Sequence, residues 1–329
     1  MEEESMKKLS FICSIVTCLF FQNFHAQLQK IIVSHIIKNK KKIAQPFKTT
    51  KPLPESVKKK ALTIPPYYHG APFKLVSFEN NEKSLVIIIP TYNNVKWYDK
   101  NLQSIFDQKY SNYRVIIIDD HSTDGTPDLI EKYIQKHHQE NRCVLIRNQT
   151  RQYKMANLYK TIHTCDDHEI VIIVDGDDWL LDDRAFSYFN ELYSSSDIWL
   201  TVGGYQEYPS GNEGFCRPIP TEIIEQNKFR EYPRTTSQLR TFYAGLFKKI
   251  KKEELMFEGE FFKAASDVAK MMPMFEMAGE RIAFNYRKVY VYNLANELND
   301  HKIHRDLQHR SAKYILNRRT LKRIDSYIN

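Results

Sequence analysis

Four short runs of apolar, mostly β-branched residues dominate the middle of this chain. They are SLVIIIP at 84–90, YRVIIIDD at 113–120, CVLIR at 143–147 and EIVIIVD at 169–175. Each is continuously apolar and bounded by polar or turn residues, which is how a strand buried on both faces reads. Helical spacing fills the intervals. Tyr98, Leu102, Ile105 and Phe106 mark a first helix; Leu129, Ile130, Tyr133 and Ile134 follow Thr126 as N-cap and Pro127 at the first helical position; Leu158, Tyr159 and Ile162 mark a third. Strand–helix alternation at this spacing predicts an α/β fold with a mostly parallel, doubly wound sheet. Sheets of this kind bind ligands at the C-terminal ends of their strands.

The residues at those ends are Pro90-Thr91-Tyr92-Asn93, Asp119-Asp120 followed by Ser122-Thr123-Asp124-Gly125, and Asp175-Gly176-Asp177-Asp178. The first strand is not followed by G-x-G-x-x-G, and the chain has no Walker A sequence, so a dinucleotide fold and a P-loop are both disfavoured. Three carboxylates as close as Asp175, Asp177 and Asp178 repel one another and need a cation or hydrogen-bond donors to stay ionised together. Mg²⁺ or Mn²⁺ suits such a set, held by one or two carboxylates plus substrate phosphate oxygens, and neutralises a departing diphosphate. The competing reading is a solvated acidic turn. The second acidic strand end at Asp119-Asp120 weighs against it.

The stretches IIIPTYNN (87–94), VIIIDDHSTDGT (115–126) and IVIIVDGDDWL (170–180) resemble the nucleotide-sugar-binding half of family-two glycosyltransferases. The resemblance covers about a third of the chain. It implies a GT-A fold with a C-terminal acceptor-side α+β part, and an inverting transfer from a nucleotide-sugar donor to a hydroxyl on a glycan, lipid or protein acceptor. It also implies Mn²⁺ or Mg²⁺ and a place in glycan, lipid-glycan or cell-surface polysaccharide synthesis. By the same resemblance Pro90, Thr91, Tyr92 and Asp120 meet the base and ribose. Asp175, Asp177 and Asp178 would hold ribose and metal-bound diphosphate, with Asp177 and Asp178 on the metal. The family commonly carries Ala-Arg-Asn before the third helix, whereas here Met155-Ala156-Asn157 stands; Lys154 or Arg151 is the alternative source of the positive charge.

An inverting transfer needs a general base for the acceptor hydroxyl. The resemblance implies an acidic residue at a helix start after the acidic turn. Asp267, in AASDVAKMMPMFEMAG (264–279), is the candidate, with an ordinary N-cap as the competing reading and Glu260 and Glu276 as weaker alternatives. Met271, Met272, Met274 and Met277 read as a methionine-rich core, with an adaptable acceptor surface as the alternative. Trp179 is placed either on a sugar face or in the core, and Arg240 and Tyr243 are acceptor-side candidates. Residues 289–300 read as a closing strand and loop, followed by His301 and His304, either of which is a candidate to complete a metal shell.

The net charge of +8 is segmental: 12 Lys face four Glu in the first 60 residues, and the remainder balances at 36 basic and 36 acidic. The main domain therefore gives no electrostatic sign of nucleic-acid binding, and none is expected. Lys7 and Lys8 precede an apolar run of 13 residues, LSFICSIVTCLFF, shorter than a spanning helix. A signal peptide or short membrane anchor is expected over 1–26, then a basic amphipathic segment and Pro-rich linker over 27–83. The lysines after the apolar run favour membrane association with the catalytic domain cytosolic; entry to the secretory pathway after signal cleavage is the alternative. The expected domain covers 84–300, split at 180 into nucleotide-sugar and acceptor halves, with a basic C-terminal helix at 301–329. Five scattered cysteines form neither a disulfide framework nor a zinc site. Two competing readings stand beside the main one. A nucleotidyltransferase is disfavoured because PTYNN lacks a glycine-rich basic loop. A non-catalytic, membrane-tethered carbohydrate-binding protein is disfavoured by the intact DGDD.

Overall fold

The computed structural model describes residues 82–214, 216–232, 237–299 and 303–328. All of these belong to one compact unit, Thr63–Asn329. The expected signal or anchor segment, the basic amphipathic stretch, the Pro-rich linker and His301 lie outside the described residues.

The four apolar runs form β1 (Leu85–Thr91), β2 (Tyr113–Asp119), β3 (Cys143–Arg147) and β4 (Ile170–Ile173). They are parallel and lie in the order β4-β1-β2-β3. Unbroken apolarity is required because both faces of the inner strands are covered. Val86 and Ile88 enter one core, beside Met155 and Leu158 of α3 (Tyr153–Ile162). Leu85, Ile87 and Ile89 enter a second, beside Leu102 of α1 (Tyr98–Phe106) and Ile130 of α2 (Thr126–Lys136).

Two local expectations are corrected. β3 is an edge strand with one neighbour, so Val144 is 58% and Ile146 39% exposed instead of buried on both faces. Helix α2 is capped by Gly125 in the left-handed conformation (φ 86°), not by Thr126. The Thr126 hydroxyl instead accepts from the Asn94 N–H (2.9 Å) and donates to Asp124 (2.6 Å), tying the loops after β1 and β2 together.

The second half of the chain extends the same sheet. It supplies β5 (Trp179–Leu180), α4 (Ala185–Ser195), β6 (Leu200–Gly203), β7 (Gln206–Tyr208), α5 (Thr221–Glu225), β8 (Ser237–Tyr243) and α6 (Ala244–Lys248). A small hairpin of β9 (Met256–Phe257) and β10 (Glu260–Phe261) leads to α7 (Ser266–Ala278), β11 (Ile282–Asn285), β12 (Tyr290–Asn293) and α8 (Arg305–Leu316). The seven-stranded order is β11-β6-β8-β4-β1-β2-β3, and β8 runs antiparallel to both β4 and β6. Its N-terminal end therefore emerges at the edge where the parallel strands end. A separate sheet, β5-β12-β7, stands over that edge.

Helix α7 is buried at every residue except Asp267, and its methionines fill the core as the bland reading expected. Its far end is fixed by a buried ion pair. Arg230 engages both oxygens of Glu276, one at 2.8 Å, and also donates to the Ile315 carbonyl, while the Leu321 N–H donates to Glu276 at 2.9 Å. Glu276 is thus a structural carboxylate. Removing one member of such a pair strands the other charge in the core. Arg230→Met is expected to lower the unfolding free energy by about 3–5 kcal/mol in urea denaturation; a loss below about 1 kcal/mol would show that the pair does not hold α7.

Candidate active site

The turn after β4 is drawn against β1 by a backbone hydrogen bond from Gly176 N–H to the Pro90 carbonyl at 3.1 Å. The approach leaves no room for a side chain at 176: a Cβ there would lie 2.6 Å from Thr91 Oγ1 and 2.8 Å from Asn94 Nδ2. Glycine is needed here for contact, not for a special φ. Buried Asn101, on α1, donates its side-chain amide to the carbonyls of Asp175 (2.9 Å) and Asp178 (2.7 Å).

The three aspartates of this turn part ways. Asp175 and Asp177 line a cleft of about 340 Å³ between the strand ends and the acceptor half. Asp175 is ion-paired with Lys154. Asp177 accepts from the Asn296 amide at 2.7 Å, and its pKa is pushed up to about 6, first by burial and then by the charge of Asp175. Asp178, expected on the metal, points elsewhere. It is 0% exposed and is not part of the cleft lining. Its two oxygens accept from the Tyr290 hydroxyl at 2.5 Å and the Asn293 N–H at 2.8 Å. Burial, then the charges of Asp177 and Asp175, hold its pKa well above the usual carboxylate range. The turn closes with a hydrogen bond from Asp178 N–H to the Asp175 carbonyl at 2.9 Å, and the donors on β12 take the Asp178 carboxylate inward while Asp177 faces the cleft.

The β1 and β2 ends supply the rest of this wall. Pro90, Thr91, Tyr92 and Asp120 all line the cleft, as do Arg151, Lys154 and Asn157. Asp120 accepts from Asn148 Nδ2 (2.8 Å), Gln152 N–H (2.8 Å) and Tyr153 N–H (2.9 Å). Burial opposes its ionisation, but these donors and the nearby Arg151 hold its pKa below the ordinary value. The Arg151 guanidinium lies 3.3 Å from the Tyr92 ring centroid, a cation–π stack across the pocket. Three buried polar atoms on this lining have no hydrogen-bond partner among the described residues: Asn94 Oδ1, Arg151 Nη1 and Asn157 Nδ2. Buried groups of this kind are normally satisfied.

The acceptor half brings Asp267 to the opposite wall. The N-cap of α7 is Ala265, so Asp267 stands within the first turn and is not the cap. It lines the cleft together with Ser266, and Arg240 Nη2 lies 3.4 Å from its carboxylate. Arg240 is placed in the cleft as expected. Tyr243 is not: it is buried at the other end of β8, stacked on Tyr327 at 4.5 Å. Trp179 is buried in an aromatic group with Trp97 and Tyr208, under Lys100, and forms no part of the cleft. Glu260 is exposed and paired with Lys263, and His304 is exposed at the start of α8. Sequence reasoning did not single out Asn101, Tyr290, Asn293 or Asn296. The Asn pair of NLAN, just past a strand, is the only signal that pointed there.

Comparison with known proteins agrees with this geometry. The Glycosyl transferase family 2 model matches residues 86–252. Glycosyltransferase GlyG of Streptococcus pneumoniae is 24% identical over 216 residues, covering 63% of this chain and 69% of GlyG. The poly(ribitol-phosphate) beta-N-acetylglucosaminyltransferase TarP of Staphylococcus aureus is 29% identical over 198 residues, covering 56% of this chain and 55% of TarP. The crystal structure of S. aureus TarS residues 1–349 superposes with a TM-score of 0.50 at 18% identity, over 64% of this chain and 60% of that one, which is a likeness of fold. The chain thus spans little more than half the length of TarP and of the TarS structure. With half of its length matched by the family model and a likeness of fold to TarS, the chain belongs to glycosyl transferase family 2 and is a glycosyltransferase of the GT-A fold.

Proposed function

We propose that this enzyme transfers a sugar, with inversion, from a nucleoside-diphosphate sugar to an acceptor hydroxyl. The observation that carries this reading is the meeting of Asp175 and Asp177 on one wall of a single cleft with Asp267 on the other. Asp120, Tyr92 and Arg151 bind the base and ribose, and the partnerless Asn94, Arg151 and Asn157 atoms supply further contacts to them. Lys154 and Arg240 face the diphosphate and the acceptor. Asp267 accepts the proton of the acceptor hydroxyl as its oxygen attacks the anomeric carbon. The bond from that carbon to the diphosphate breaks, and the nucleoside diphosphate leaves.

The residues present suit a divalent cation. Two hard carboxylates, Asp177 and Asp175, share the cleft, and burial, then the charge of Asp175, raises the pKa of Asp177. No group of three His, Cys, Asp or Glu side chains at ligand spacing occurs among the described residues. Mn²⁺ or Mg²⁺ held there would neutralise charge on the leaving diphosphate. The named activity of TarP, on poly(ribitol-phosphate), supports a polymer as acceptor. We also place residues 1–43 at a membrane, with the catalytic domain on the cytosolic side, because of their lysine-rich, apolar pattern. Among the described residues no helix is long and apolar enough to cross a membrane.

The test is donor hydrolysis, in which water serves as acceptor. Purified protein is given UDP-glucose, UDP-N-acetylglucosamine and GDP-mannose, each with Mn²⁺ or with EDTA. Release of nucleoside diphosphate from one donor, abolished by EDTA, is expected; binding without turnover on every donor would favour a carbohydrate-binding protein. Asp267→Asn should keep donor affinity and lower kcat by about 10²–10⁴-fold; full activity would place the base elsewhere. Asp177→Asn should abolish metal-dependent donor binding in calorimetry. Asp178→Asn should instead cost about 1–3 kcal/mol of stability and leave that binding measurable; the opposite pattern would return the metal to Asp178. In a flotation gradient the full chain should rise with anionic liposomes, and its recovery at the bottom would remove the membrane assignment.

A further inference from the structure

Two tyrosines line the cleft outside the donor wall: Tyr205, just before β7, and Tyr292, on β12. Both are half-buried, and their rings meet edge to face with centroids 5.4 Å apart. Strand register puts the pair between the reacting groups. β12 runs antiparallel to β5, with Val291 opposite Trp179, so Tyr292 comes abreast of the acidic turn, beside Asn293, whose N–H holds Asp178. Tyr205 lies just beyond the pairing of Gly203 with Ser237, next to the part of β8 that presents Arg240 to Asp267. The Tyr205 ring is fixed by close contact with the backbone of Gly214. A Cβ at 214 would stand 2.2 Å from two of its ring carbons, and the Gly214 N–H donates to the Tyr205 carbonyl at 2.9 Å.

Two neutral amides accompany the rings. The side chains of Gln238, only 9% exposed, and Gln308, on α8, line the cleft and have no hydrogen-bond partner among the described residues. A buried amide is normally satisfied, and each offers both donors and an acceptor. The three cations of the described lining each already face a carboxylate: Arg151 with Asp120, Lys154 with Asp175 and Arg240 with Asp267. We propose that the acceptor is a pyranose sugar, bound with its C–H face on the Tyr205–Tyr292 pair and its hydroxyls on Gln238 and Gln308. A pyranose has an apolar face that packs on an aromatic ring and a rim of hydroxyls that donate and accept as amides do. A phosphate-bearing chain calls for unmatched cations. An acyl chain calls for an apolar wall, whereas Leu298 is the one large aliphatic side chain of the described lining. In the transfer one ring hydroxyl gives its proton to Asp267 and its oxygen bonds to the anomeric carbon of the donor; the electron pair of the broken bond leaves with the nucleoside diphosphate. The inference rests on the reading of this cleft as a transferase site.

The experiment follows nucleoside diphosphate release by the full chain, with Mn²⁺ and the donor that wild type hydrolyses. The acceptors offered are p-nitrophenyl pyranosides of glucose, galactose and N-acetylglucosamine, then ribitol 5-phosphate, then a serine- and threonine-containing peptide. At least one pyranoside should raise the release by about 10-fold over water alone and be found glycosylated by mass spectrometry. With that pyranoside, Tyr205→Leu should raise the acceptor KM by about 10-fold and the donor KM by less than about 2-fold. Tyr205→Phe, which keeps the ring, should return the acceptor KM to within about 3-fold of wild type. Gln308→Ala should raise the same KM by about 5-fold. Acceleration by ribitol 5-phosphate or the peptide and by no pyranoside overturns the proposal, as does an acceptor KM that Tyr205→Leu leaves unmoved. Should Tyr205→Leu not fold, Gln308→Ala decides, and an unmoved acceptor KM again overturns it. The two failures are distinct. A wild type that hydrolyses no donor loses the transferase reading itself; donor hydrolysis that no pyranoside accelerates loses only the sugar acceptor.

Discussion

The buried carboxylate of Asp178 is the fixture on which the site depends. It takes the Tyr290 hydroxyl and the Asn293 N–H, both from a strand more than a hundred residues away in sequence. Those bonds tie β12 to the acidic turn, and Asn101 seizes the same turn from α1. A four-residue turn rich in like charge would otherwise splay. Pinned from two sides, it holds Asp175 and Asp177 toward the cleft. Low dielectric makes these bonds strong, and would make any unpaired member of the set costly. Repulsion among the aspartates is thus relieved unequally: one is sequestered by hydrogen-bond donors, while two are kept for ligand.

The two walls of the cleft obey different logic. The donor wall is built from strand ends, whose backbone is set by the parallel register of β1, β2 and β4. The acceptor wall is built from the start of α7 and the near end of β8. There Arg240 stands against Asp267, while Lys154 pairs with Asp175 on the strand-end wall. Such an arrangement costs stability, and the buried Arg230–Glu276 pair and the methionine packing of the same helix hold it in place.

Much of the donor wall was legible before any coordinates. A continuously apolar run of β-branched residues has few places to go except the middle of a covered sheet, and the polar residues ending it are forced to the ligand edge. The strand-end groups that contain Pro90, Thr91, Tyr92, Asp120, Asp175 and Asp177 followed from that pattern, the choice of residues within them from the resemblance, and Asp267 and Arg240 from the resemblance and local pattern. The errors differ in cause. Tyr243, at odd spacing from Arg240, falls on the opposite side of β8, as a two-residue period would have shown, whereas Asp178 lies in a turn and is drawn inward by donors from β12. Trp179 and the edge strand β3 depend on which neighbours a segment acquires. So do the partners Tyr290, Asn293 and Asn296, which no local pattern can assign.

One topological detail shapes what this molecule can do. Because β8 runs against its neighbours and is hydrogen-bonded between β4 and β6, a single continuous sheet underlies both walls of the cleft. The two walls share one spine and are not separate lobes. The span between Asp177 and Asp267 is set as by a fixed caliper, and any change in the width of the cleft falls to the loops along its rim.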